Sequence, residues 1–146
     1  MMKNKFFHKI QLRFSYIGYT LRHKKAFLTV EKRLCQKNTL AGYLHDLDKV
    51  FLYLAFWIDV SNIQKIHTTH SRHHLNNTIK KTRKDYIQTL IDWECARLTK
   101  PDKQLNAYQT LIKIHPEYID IFLPLIQEFL PHQIPDKCIK RHKKTS

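Results

Sequence analysis

Ten histidines are spread over 146 residues, and their order along the chain says more than their number. His23 comes first, and the adjacent pair His45-Asp46 follows 22 residues later. His67, His70, His73 and His74 then fall within eight residues, and Asp92 sits in the run Leu90-Ile91-Asp92-Trp93. Imidazole and carboxylate together form a donor set for Mn, Fe, Zn, Co or Ni. On a helix, positions 67, 70 and 74 share a face, because residues three, four and seven apart line up. A buried carboxylate without a counter-charge costs several kcal/mol, so Asp46 and Asp92 need a cation if they face inward. A divalent metal supplies one where neutral histidines cannot; a Lys or Arg is the plainer alternative. Singly, each residue also has an ordinary reading. A helical histidine is commonly packed or solvated, an Asp in an apolar run is commonly a cap, and residues 67–74 could be a pH-sensitive basic patch. The metal reading comes from the joint order His, His-Asp, His, His-His, Asp.

These residues need a scaffold, and the sequence predicts an all-α one. Only 2 Gly and 5 Pro occur, and four of the prolines lie beyond residue 115, which disfavours a turn-rich sheet. A first helix is expected over residues 4–16, ending near Gly18, and a second over 21–37. A third, capped by Asn38 or Thr39, should reach Trp57 or Ile58, since Leu40, Tyr43, Leu44, Leu47, Val50, Phe51 and Leu54 recur at three- and four-residue spacing. Ser61 is the expected cap of a short helix carrying Ile63, Ile66 and His67, and Asn76 or Asn77 that of a long one ending before Pro101. A helix over 103–114 and one opening at Pro116, expected to act as a lid, complete a single compact bundle of six to seven helices. The expected domain covers 1–130, and the polar, basic stretch 131–146 is expected to be a flexible tail.

The ordered set resembles the HD-domain superfamily of metal-dependent phosphohydrolases. That resemblance implies a helical fold gathering His23, His45, Asp46 and Asp92 around a metal, with His67 and His73 or His74 serving a second ion. It is closer still to an uncharacterised bacterial and phage family, a domain of unknown function. The shared features are His23-Lys24, the segment His45-Asp46-Leu47-Asp48-Lys49, His67 six residues ahead of His73-His74, and Asp92-Trp93. The match covers about residues 20–115. Two departures stand out: Asp48 occupies the place of a serine, and Ser71 and Leu75 flank the His-His pair where Asn and Trp are usual.

The resemblance implies a dinuclear or mononuclear divalent-metal centre in which Asp46 is the natural bridge, having two anionic oxygens. The implied activity is hydrolysis of a phosphate ester, of a nucleotide or another small phosphorylated compound, by a metal-activated water. Lys49, one turn after His45, and Arg72 are the expected phosphate clamps, and Asp48 is expected to pair with Lys49 at the surface. An HD-type diiron oxygenase would use the same residues.

Net charge adds a second class of partner. The chain carries 26 Lys+Arg against 12 Asp+Glu, a formal +14, which attracts anions and admits a non-enzymatic nucleic-acid-binding protein. Its aromatics sit mostly at core spacing, a poor arrangement for base stacking. Cys35, Cys95 and Cys138 are odd in number and far apart, so no disulfide framework is expected. The longest apolar run, Val50–Ile58, is too short for a bilayer. A cytoplasmic protein without a transmembrane segment is the expectation.

Overall fold

The computed structural model describes residues 2–100, 102 and 104–135, with side chains from Phe7 onward. Among them the chain is all helical: α1 Met2–Cys35, α2 Leu40–Leu44, α3 Leu47–Leu54, α4 Val60–His70, α5 Arg83–Thr99, α6 Ala107–Ile114 and α7 Ile119–Phe129, with short 3-10 turns at Pro116–Tyr118 and Pro131–Gln133. The helices group into two compact units, Met1–Lys80 and Lys81–Ser146.

In the first unit α1 runs unbroken through Gly18, where the sequence predicts a break between two helices. Its buried stripe, Arg13, Thr20, His23, Phe27, Val30 and Glu31, continues at three-, four- and seven-residue steps across the glycine. One helical glycine costs about 1 kcal/mol relative to alanine, too little to break a helix held by that face. The chain then turns back, and Glu31, fully buried, organises the turn. Its carboxylate accepts the Thr39 N–H at 3.1 Å and the Thr39 hydroxyl at 2.7 Å. Thr39 in turn caps α2, its Oγ1 accepting from the Gly42 N–H at 3.1 Å. The Glu31 carboxylate lies directly over Gly42, where an added Cβ would stand 2.7 Å from Glu31 Cδ.

The expected continuous helix over residues 39–58 is broken at His45-Asp46. Asp46 adopts the left-handed conformation, φ 56° and ψ 9°. The apolar spacing carries on through this point, so periodicity could not reveal the corner. Asp is one of the few L-residues that visits this region with modest strain. The far end of α3 is closed by Arg13, which is only 6% exposed. Its guanidinium donates to the carbonyls of Tyr53 (2.9 Å), Ala55 (3.1 Å) and Ile58, placing positive charge where the helix dipole is negative. Asp59, not Ser61, caps α4, accepting the Ser61 N–H at 3.0 Å.

Asn76 and Asn77 do not start the next helix. Asn77 instead braces the loop after α4, donating to the carbonyls of Thr68 at 2.9 Å and Ser71 at 2.8 Å. In the second unit, α5 opens at a capping box formed by Thr82 and Asp85, and α6 at one formed by Asn106 and Gln109. Glu94 of α5 is buried and accepts the Ala107 N–H at 2.9 Å, which ties the start of α6 to α5. Trp93 stacks on His115, with centroids 5.3 Å apart, and packs on Phe122 at 4.5 Å. Helix α7 buries Phe122, Leu125 and Ile126 and is a core element of this unit. Within the expected tail, Pro131–Gln133 form a 3-10 turn and Ile134 is buried; its remainder, from 136, lies outside the described residues. No helix among the described residues is long and apolar enough to cross a membrane.

Candidate metal centre

The corner at His45-Asp46 turns both side chains inward, and each residue is only 4% exposed. The Asp46 carboxylate becomes the hub of the first unit. Its Oδ1 lies 3.1 Å from His67 Nε2, 3.5 Å from His73 Nε2 and 3.6 Å from His45 Nε2. Its Oδ2 lies 4.0 Å from His23 Nε2 and 2.9 Å from Lys49 Nζ. Five elements deliver these groups: α1 brings His23, the corner His45 and Asp46, α3 Lys49, α4 His67, and the Asn77-braced loop His73 and His74. Phe27 stacks on the His45 ring at 3.7 Å and fixes its plane.

Three overlapping triads result within the first unit, His45–Asp46–His73, His67–His73–His74 and Asp46–Asp48–His67, each with donor atoms within 4.8 Å of one another. The spacing suits a cation. Donors about 2.1 Å from a metal are about 3.0 Å apart at right angles and about 3.4 Å apart at tetrahedral angles. Around Oδ1 the 3.1 Å contact falls in that range, and those of 3.5 and 3.6 Å lie just above it. His67 Nε2 and Asp46 Oδ1 are both buried and lie 3.1 Å apart. Buried polar atoms that converge on one point need a partner there, which a hydrogen-bonded network or a shared cation can supply. A plain ion pair also exists here, since Lys49 gives Asp46 the cation that its burial demands. Charge balance therefore does not decide for a metal; the convergence of imidazoles on Oδ1 favours one.

The titration behaviour follows from the crowding. Burial alone would raise the Asp46 pKa, but its contacts with His67 and His73 and the charges of His45 and Lys49 outweigh it and hold the carboxyl well below the usual range. Burial likewise opposes the shift at Asp48, where the His67 imidazole wins and lowers the pKa. His67 moves the other way: burial lowers its pKa, but Asp46 and Asp48 together raise it above the ordinary histidine value.

Of the residues singled out from sequence, His23, His45, Asp46, His67, His73 and His74 come together in the first unit. Asp92 belongs to α5 of the second unit. His70 does not share the site face: it is exposed, and its Nδ1 bonds to the Ile66 carbonyl at 2.8 Å. His73 and His74 reach the cluster from the loop beyond α4 instead. Arg72 is exposed and donates to the Lys80 carbonyl at 2.9 Å. Asp48 does not pair with Lys49; its Oδ2 lies 2.7 Å from His67 Nδ1. Glu31, Gly42, Arg13 and Asn77 are positioning residues that the order of histidines and aspartates does not reveal. Of these only Gly42 carries a signal in the sequence, being one of 2 glycines and lying inside a predicted helix.

Comparison with family models, with curated proteins and with solved structures finds no match. The residues themselves form a cluster that could hold a metal ion.

Proposed function

We propose that the first unit holds one or two divalent transition-metal ions on His23, His45, Asp46, His67, His73 and His74, and that the centre hydrolyses a phosphate ester of a small anionic substrate. The observation that carries this reading is the buried convergence of three imidazole nitrogens on a single carboxylate oxygen, at 3.1, 3.5 and 3.6 Å. When bound, such a cation supplies Lewis acidity and a water activated near neutral pH. The protein's own share is positional. Asp46 faces His45, His67 and His73 with Oδ1 and His23 with Oδ2, and these residues together would hold the ion or ions. Lys49, seated on Oδ2, brings a cationic donor to the hub and is the expected partner of a phosphate oxygen. Asp92 and the Arg72 clamp enter this reading from the sequence pattern.

The decisive experiment is elemental analysis of protein purified without added chelator, followed by a screen of phosphomonoesters, phosphodiesters and nucleotides. Near-stoichiometric metal that disappears in Asp46→Ala, with metal-dependent phosphate release, is the expected outcome. Full metal content in Asp46→Ala sinks the centre; metal without hydrolysis, but with oxygen consumption by bound iron, replaces hydrolysis with oxygenation. A second reading, polyanion binding, is favoured by a groove along α1 lined by Lys24, Lys25, Lys32 and Arg33 over Leu21 and Leu28. Salt-sensitive nucleic-acid binding that survives Asp46→Ala would identify it.

A further inference from the structure

His67 is fully buried, and both of its ring nitrogens are engaged in different ways. Nε2 points at Asp46 Oδ1, whereas Nδ1 lies 2.7 Å from Asp48 Oδ2 and 3.0 Å from the Ser71 hydroxyl. A carboxylate can only accept, so the nitrogen facing Asp48 carries the proton. Nε2, 3.1 Å from Asp46 Oδ1, is the nitrogen turned into the cluster. Asp48 itself is 47% exposed and lies on the first turn of α3, two residues after the hub.

We propose that Asp48 is a positioning residue for the metal centre: it accepts the His67 Nδ1–H, fixes the ring orientation and makes Nε2 the ligand nitrogen. This inference rests on the metal reading of the site. The carboxylate–imidazole–metal relay it describes both orients the ligand and raises its basicity, and loss of such an outer partner usually weakens metal binding by about 10- to 100-fold. Ser71 is the weaker partner of the same nitrogen, because a neutral hydroxyl bonds less strongly than an ionised carboxylate.

The test measures Co(II) affinity by competition with a chromophoric chelator, together with the ligand-field spectrum, for the wild type, Asp48→Asn, Asp48→Ser and Ser71→Ala. Both Asp48 variants should bind about 10- to 100-fold more weakly, with altered visible bands, while Ser71→Ala stays within a few-fold. The loss should persist at high ionic strength, since a hydrogen-bond effect is not screened as a distant charge is. Metal-free melting points, measured alongside, separate weakened metal binding from weakened folding. Wild-type affinity and spectrum in Asp48→Asn overturn the inference alone. A loss that vanishes with salt also overturns it, by showing that only charge mattered. No Co(II) binding by the wild type removes the metal reading itself, and this inference with it.

Discussion

Gly42→Ala sets two effects of opposite sign against each other, and the structure says which wins. Helix propensity favours alanine over glycine by about 0.8–1.0 kcal/mol. Against that, the new methyl would stand 2.7 Å from Glu31 Cδ and 2.9 Å from Oε1, and closer still to Oε2. Glu31 has no open space to retreat into, being fully buried and bonded to Thr39 through two contacts. Moving it sacrifices one or both bonds, each worth about 1.5–3 kcal/mol when one partner is charged. Shifting α2 instead displaces the helix that leads straight into His45-Asp46. The expected balance is a net destabilisation of about 2–4 kcal/mol after the propensity gain is subtracted. Urea unfolding of Gly42→Ala, Glu31→Ala and the double variant would measure it. Alanine at 42 should cost far less once Glu31 is gone, giving a coupling energy above about 1 kcal/mol. A stable Gly42→Ala, or costs that simply add, would refute the steric account.

Three further expectations rest on other contacts. Arg13→Met should destabilise by about 2–4 kcal/mol, since it strips a buried guanidinium from three carbonyls around the end of α3; a loss under about 0.5 kcal/mol on chemical denaturation argues against a structural role. In metal-free protein, the raised pKa of His67 contributes stability that is full below the unfolded value near 6.5 and fades as pH rises through the folded one. The depressed pKa of Asp46 contributes stability above the unfolded carboxyl value that is lost as pH falls through the folded one. Metal competes with the His67 proton, so melting scans should show the stabilisation by added metal growing from pH 6 to 8, values on the order of the histidine range; a gap independent of pH contradicts His67 ligation. Asp92→Ala should lower metal content if the sequence order is right, and unchanged content by elemental analysis removes Asp92 from the ligand set.

Much of the fold is legible in the sequence, and the misses have physical reasons. The all-helical class follows from the scarcity of breakers, and Thr39 is readable as a cap because its hydroxyl precedes an apolar run. Thr82-Arg83-Lys84-Asp85 is an equally good cap signal, but Asn76 and Asn77 compete for it upstream. Asn77 uses its amide across a loop rather than at a helix start, and local pattern cannot distinguish the two. Gly18 misleads because a single glycine is weak against a long buried face. The grouping of His23, His45, Asp46, His67 and His73 is readable as an order, since residue types are all that such an order needs. Asp48 on His67, Glu31 over Gly42 and Arg13 at the end of α3 depend on distances between elements, which spacing along one helix does not contain.

The left-handed corner at Asp46 joins two demands in one residue, backbone shape and carboxylate chemistry. Glycine would keep the corner and lose the carboxylate; glutamate would keep the charge and strain the corner. Asparagine tolerates the same backbone region and removes only the charge. Asp46→Asn is therefore the substitution that should keep the fold while removing the carboxylate from the cluster.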